Sequence, residues 1–220
     1  MRKFYDNCSR EYVYRFFQNT MHMSSDVSAL LTDIVTLEKK IPTGCPTSQI
    51  IAYYAYHAMF EDIHTLATQR YGCIFTLYVD DMTFSSNSSF NPSQLSNDID
   101  KILRRYGHKP KYSKVKYFPR SSHKLITGVV VSNNHKLLVA NNQRKKIYDG
   151  AMKQLDLKLQ GDSLRKELQT LKGRIQAAKN VNSKIFPEIN RLVDNSIADL
   201  VNNYDIHNNW NRSVWKQDYR

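Results

Sequence analysis

A mixed α/β segment followed by an all-helical segment is the fold class this sequence predicts, and three observations predict it. Residues 73–85, CIFTLYVDDMTFS, read as two short β-rich runs around a pair of acids. Residues 125–140, LITGVVVSNNHKLLVA, read as a second hairpin with Asn133 and Asn134 at its turn. Beyond about residue 140, apolar residues recur only at helical spacing. At 220 residues the chain is long enough to bury a real core, as one large domain or two small ones.

The elements are taken in chain order. Ser9 is positioned to cap a short helix carrying Val13, Phe16, Phe17 and Met21 on one side. Ser24, Ser25 and Asp26 precede a second helix, in which Val27, Leu30, Leu31 and Ile34 recur at helical spacing. The prolines and glycine of KKIPTGCPTS mark a loop, and Thr47 or Ser48 starts a long helix that ends at Gly72. After the acidic hairpin, Pro92 and Ser93 precede a helix through Leu95, Ile99, Ile102 and Leu103, stopped by Gly107. The basic stretch HKPKYSKVKYFPR leads to the second hairpin, and NNQRKK reads as a linker or first helical turn. Asp162 or Ser163 would cap a helix with Leu164, Leu168, Leu171, Ile175 and Ala178 on one stripe and Arg165, Lys166, Lys172, Arg174 and Lys179 off it. Pro187 interrupts the pattern, a last helix comes after it, and the tail carries Trp210 and Trp215.

Charge is distributed unevenly. Residues 1–100 hold 7 Lys and Arg against 11 Asp and Glu, whereas residues 101–220 hold 25 against 9, within a net charge of +12. A basic half of this kind fits a polyanionic partner, nucleic acid being the commonest, or else a solvated surface. No apolar run of membrane-spanning length occurs and the N-terminus lacks a signal-peptide pattern, so the expectation is no membrane and a cytoplasmic setting. Cys8, Cys45 and Cys73 form no metal-ligand spacing and read as reduced thiols. His57, His64 and His108 also lack ligand spacing and read as structural or surface residues.

The strongest chemical signal is LYVDDMTF, residues 77–84. Adjacent acids at a strand turn repel unless a cation sits there, and hard carboxylate oxygens suit Mg²⁺. A solvated turn is the alternative for Asp80 and Asp81. Upstream, IPTGCPTSQI is a rigid loop opening a helix, where backbone N–H groups and small hydroxyls can meet a nucleotide; a plain helix-entry loop is the alternative.

Taken together these motifs resemble the retron and group II intron-like reverse transcriptases. Pro42, Gly44, Pro46, Thr47 and Ser48 are similar to that family's motif B, with Thr43 and Cys45 departing from its usual residues. Tyr78-Val79-Asp80-Asp81 matches motif C, Lys114 falls where a motif D lysine stands, and Thr127-Gly128 opening an apolar strand resembles the retron pattern beyond motif D. LKGRIQAAKNVN, residues 171–182, resembles the thumb segment. Phe4 and Tyr5 fit the aromatics of motif A, whose Asp would lie immediately before Met1, so the resemblance predicts an N-terminally truncated chain without the fingers region.

The resemblance implies an α/β (α+β) polymerase palm, partial, over residues 1–140, and an α-helical thumb over 141–220. It implies RNA-directed DNA polymerase activity by a two-Mg²⁺ mechanism, on an RNA template and DNA primer with deoxynucleotides, and a retron link to antiviral defence through a dedicated noncoding RNA. Asp80 would be a metal ligand and Asp81 a supporting one. Tyr5 would be the sugar gate, or else a core ring. Gly44, Pro46, Thr47 and Ser48 would contact template and nucleotide. Lys114 would steady the leaving phosphate, or else touch a backbone phosphate like its neighbours. Lys172 and Arg174 would grip the duplex. A truncated chain is expected to be inactive alone and to regain activity with the missing N-terminal fragment, fused or as a separate chain. The rival is a non-catalytic nucleic-acid-binding remnant or subunit of a split enzyme. An RNA-dependent RNA polymerase is a third reading, disfavoured by YVDD and by the bulk of Tyr5.

Overall fold

The computed structural model describes residues 1–156 and 161–199. It is mixed helix and small antiparallel sheet, an α+β arrangement in two compact units, Met1–Tyr117 and a second from Phe118 onward.

In the first unit, helix α1 (Arg10–Arg15) runs directly into a π-helical turn, Phe16–Thr20. Val13, Phe16 and Phe17 are buried as the spacing predicts, but Met21 is exposed. A π turn inserts one residue, which rotates the side chains after it by about 100° off the buried face. Helix α2 (Ser25–Val35) departs further from its pattern. Val27, Leu30 and Ile34 are 41%, 61% and 69% exposed, whereas Ser28 and Thr32 are fully buried. The Thr32 hydroxyl donates to the Ser28 carbonyl (2.6 Å), so burying it leaves no unmet donor, and small side chains let α2 lie close to α1.

The long helix expected after the Pro/Gly loop is broken in two, α3 (Ser48–Ala55) and α4 (His57–Thr65), succeeded by a second π turn, Leu66–Arg70. The break falls at Tyr56, whose ring is 1% exposed. Its hydroxyl accepts from the Ser9 N–H (3.0 Å) and donates to the Asn7 carbonyl (3.1 Å). Gly72 then turns the chain at φ +58°, a value open to glycine. Strands β1 (Ile74–Tyr78) and β2 (Asp81–Ser85) form an antiparallel hairpin in which Tyr78 faces Asp81.

Helix α5 (Pro92–Arg105) begins at Pro92 itself, with Asn91 rather than Ser93 ahead of it; the Asn91 side chain accepts from the Gln94 N–H (3.1 Å). Leu95, Ile99, Ile102 and Leu103 are buried as predicted. Asp98 ties α5 to the entry of β1. It accepts from the Tyr71 hydroxyl (2.7 Å) and pairs with Arg70 (3.1 Å) and Lys101 (3.0 Å). The Tyr71 hydrogen bond, then that from Lys101, lowers its pKa.

In the second unit, strands β3 (Lys124–Ile126), β4 (Val129–Val131) and β5 (Leu137–Val139) form a meander. The expected turn at Asn133 and Asn134 joins β4 to β5. The additional strand β3 turns into β4 at Thr127 (φ +45°) and Gly128 (φ +88°), consistent with the two-residue turns that need positive φ. Residues 141–146 are helical, opening α6 (Asn141–Asp156). Helix α7 (Gly161–Lys179) already contains Asp162 and Ser163, which therefore do not precede it. Its stripe of Leu168, Leu171, Ile175 and Ala178 is buried against Ile147 and Ala151 of α6 and Val193 of α8, residues 187–199. A Cβ at Gly150 would come 3.2 Å from Leu171 Cδ1, so the missing side chain allows α6 and α7 to pack closely. Trp210 and Trp215 lie outside the described residues.

Two positions carry strain or uncompensated polarity. Val79, in the two-residue hairpin turn, has φ +58°, a region costly for a β-branched residue. His108 is fully buried between Phe4 (5.2 Å between ring centroids) and Tyr56 (4.7 Å), not at the surface, and both its nitrogens lack a hydrogen-bond partner. Burial lowers its pKa from 6.5 to about 4. Between those pH values the unfolded chain holds the proton and the folded chain does not, so stability falls as pH drops through that window. Urea unfolding of His108→Leu against the parent should show the parent losing on the order of 1–3 kcal/mol between pH 6.5 and 4 that the variant keeps. Equal slopes would mean His108 does not titrate as a buried group. At the hairpin, Val79→Gly should raise the unfolding midpoint, by about 1 kcal/mol after glycine's entropic cost, because it removes the positive-φ strain; a lower midpoint would show the turn to be unstrained.

Candidate metal centre at the Asp80 turn

The β1–β2 hairpin sets the two carboxylates. Val79 and Asp80 are the turn, and Asp81 is already the first residue of β2. The Asp80 side chain is 37% exposed, and Asp81 is exposed. Neighbouring residues entering a strand point to opposite sides, so the two carboxylates do not converge on one point by strand geometry alone. Among the described residues no group of three or more His, Cys, Asp or Glu side chains gathers as a metal cage. The donor set fits Mg²⁺ in its usual form, in which one or two carboxylates hold an ion that keeps waters and substrate phosphates. The Met1 ammonium pairs with the Asp80 carboxylate at 3.5 Å and donates to the Asp80 carbonyl (2.9 Å), so a positive charge already stands beside this carboxylate.

The segment that begins beside Asp80 is locked by its aromatics. Phe4 is 5% exposed and packs on Phe60, Tyr56 and His108. With Phe4 turned into the core, Tyr5 remains partly exposed near Asp80. Its phenol pKa is raised, first by burial, then by the Asp80 charge and by Cys8. The Asp80 charge is therefore felt at the Tyr5 phenol. The same segment continues to the Pro/Gly loop. The Cys8 carbonyl accepts from the Ile41 N–H (3.2 Å), and the Arg10 N–H donates to the Lys39 carbonyl (2.9 Å).

Within that loop Gly44 takes φ +92°, the left-handed region. Gly44, Pro46 and Thr47 are exposed, but Ser48 is 3% exposed and its hydroxyl donates to the Pro42 carbonyl (2.6 Å). Ser48 closes the loop on itself, leaving Gly44, Pro46 and Thr47 as its open surface. Lys114 sits on an exposed 3₁₀ turn, Tyr112–Lys114, and no described contact joins it to either carboxylate. In the second unit, the Lys172 ammonium pairs with Asp194 and donates to Asn190 (3.2 Å), while Arg174 is exposed on α7.

Sequence reasoning missed the supports: Phe4, Tyr56 and His108 as one buried cluster under the Tyr5 segment, and the strain at Val79. Their only signal was the density of aromatics in residues 53–60, which does not say which ring turns inward.

No family model matches the chain. It is 28% identical over 242 residues to the retron Ec48 reverse transcriptase of Escherichia coli, covering 98% of this chain and 58% of that protein. It is 29% identical over 148 residues to the retron Se72 reverse transcriptase of Salmonella heidelberg (strain 579083-10), covering 64% of this chain and 38% of that protein. The chain thus spans less than two thirds of the length of either relative. The chain is thus similar, over nearly its whole length in one case, to two retron reverse transcriptases.

Proposed function

We propose that these residues serve an RNA-directed DNA polymerase that adds deoxynucleotides to a primer 3′ end by in-line transfer with two Mg²⁺ ions. The observation that carries this reading is the antiparallel β1–β2 hairpin that presents Asp80 and Asp81 at its turn, in a chain similar to a retron reverse transcriptase over 98% of its length. A bound ion pair would activate the 3′-hydroxyl and neutralise the leaving pyrophosphate. Asp80 holds the ion and Asp81 supports it. Tyr5 presents its ring beside the ion site, where its bulk excludes a ribose 2′-hydroxyl. Gly44, Pro46 and Thr47 offer an exposed loop to template and nucleotide, with Ser48 fixing its shape. Lys114 supplies a mobile cation for the leaving phosphate.

Residues 1–140 act as palm and 141–220 as thumb in this reading, with the boundary between compact units at Tyr117 and Phe118 falling earlier than the functional one. In the thumb, Asp194 already engages Lys172, which leaves Arg174 with Arg165 and Lys166 as its open cations toward duplex. A dedicated noncoding RNA as template and a role in antiviral defence in the cytoplasm are drawn from the retron homology. The second reading, a nucleic-acid-binding subunit without catalysis, draws on the basic half alone: 25 Lys and Arg against 9 acids in residues 101–220.

Primer extension separates the two. In a polypeptide of the relatives' full length containing these residues, with an RNA template, labelled deoxynucleotides and Mg²⁺, Asp80→Ala should lower the rate on the order of 10²–10³-fold or more while duplex binding persists. Extension that survives Asp80→Ala removes Asp80 from the chemistry, and duplex binding with no extension in the parent favours the second reading. Duplex affinity measured against salt provides the thumb test. Arg174→Ala should weaken binding and reduce the log–log salt slope by roughly one; an unchanged slope would take Arg174 off the phosphate backbone.

A further inference from the structure

No Asp or Glu occurs between Asp100 and Asp149. Within that acid-free stretch, the segment from Lys109 to Tyr117 lies on the surface of the first unit. Lys109, Lys111, Lys114 and Lys116 are all exposed. Interleaved with them, Tyr112, Val115 and Tyr117 are 59%, 55% and 61% exposed, an unusual density of large apolar side chains in solvent for nine residues. Neither tyrosine ring stacks on another aromatic among the described residues.

The segment is also held in place. The Arg2 N–H donates to the Lys109 carbonyl (2.9 Å), and the 3₁₀ turn closes through Lys114 N–H to Lys111 (2.8 Å) and Val115 N–H to Tyr112 (3.1 Å). Arg104, fixed by Asp100 (2.8 Å), donates to the Tyr112 hydroxyl (3.2 Å). That bond restrains the ring by its polar end and leaves the ring itself open. A stacking ligand then meets a surface whose ordering cost is already partly met.

We propose that Lys109–Tyr117 is a platform for an unpaired nucleic-acid strand, on which bases stack against Tyr112 and Tyr117 while Lys109, Lys111 and Lys116 track the phosphates. Exposed aromatics alternating with lysines match the two requirements of single-strand binding, a π-face for any base and positive charge for the backbone. Five residues separate the rings by at most about 18 Å, the reach of a few nucleotides. Base-paired duplex keeps its bases stacked on each other and offers these rings nothing. Stacking does not read the 2′-hydroxyl, so RNA and DNA strands bind alike. The proposal goes beyond nucleotide transfer and does not depend on Asp80.

Fluorescence anisotropy of the 220-residue chain with a labelled 10-nucleotide RNA, its DNA counterpart and a blunt RNA–DNA duplex tests it. Tyr112→Ala and Tyr117→Ala should each weaken both single strands about fivefold to a hundredfold, leave the salt slope unchanged and alter duplex affinity less than twofold. Tyr112→Trp should restore single-strand binding, which separates stacking from any loss of folding. Lys111→Gln with Lys116→Gln should instead lower the single-strand salt slope, by about 0.7 for each lysine. Equal losses on single strand and duplex, loss on RNA alone, failure of Trp to rescue, or no loss at all would each overturn the platform. Because Asp80→Ala should leave these affinities intact, the result stands apart from the primer-extension outcome.

Discussion

The hydroxyl of Tyr56 is the interaction on which the first unit turns. Buried between α3 and α4, it satisfies the Asn7 carbonyl and the Ser9 N–H at once. Those backbone groups belong to the segment that carries Phe4 and Tyr5, so one side chain fixes the register of that segment against the helices. Desolvation raises the phenol pKa to about 12, which keeps the hydroxyl a donor as well as an acceptor at any physiological pH. The same ring packs on His108 and stacks on Tyr12 at 4.5 Å, so the hydrogen bonds and the aromatic core constrain each other. The helix is interrupted at this same residue, between α3 and α4.

From that anchor the candidate site is reached by short steps. Phe4 enters the core beside Tyr56, Tyr5 stays partly exposed, and the Cys8 carbonyl accepts from the Ile41 N–H at the mouth of the Pro/Gly loop. On the other side, Asp98 gathers Tyr71, Arg70 and Lys101 and fixes the approach to β1. Both sides of the hairpin are thus held by partners far from it in sequence. A surrounding structure that over-determines a turn can keep Val79 in a backbone region it would otherwise leave. The Asp80 carboxylate beside this strained position is paired with the Met1 ammonium.

The second unit reaches its order by different means. Its core is a stripe of aliphatic side chains, and Gly150 sets how near α6 comes to α7. Charge is kept off that stripe, and Lys172 of α7 is paired with Asp194. A basic helix therefore divides its cations between holding the fold and facing outward. Net charge alone could not have shown this division.

Periodicity and turn chemistry are local, and what they determine was legible in the residues alone. The acid pair between two β-rich runs, the turn at Asn133 and Asn134, the buried faces of α5 and α7 and the helix start at Ser48 are all set by neighbours within a few positions. The open loop surface at Gly44, Pro46 and Thr47 was legible for the same reason. Tertiary structure decided the rest. Val27, Leu30 and Ile34 have faultless helical spacing yet face outward, because Ser28 and Thr32 let α2 lie nearer its neighbour. His108, read as structural or surface, is a core ring, and Lys172, expected to grip duplex, is paired with Asp194. The bond from Tyr56 to Ser9 across 47 positions has no trace in any short window. Such contacts depend on which surfaces pack together, and packing is a property of the whole folded chain rather than of any segment's own pattern.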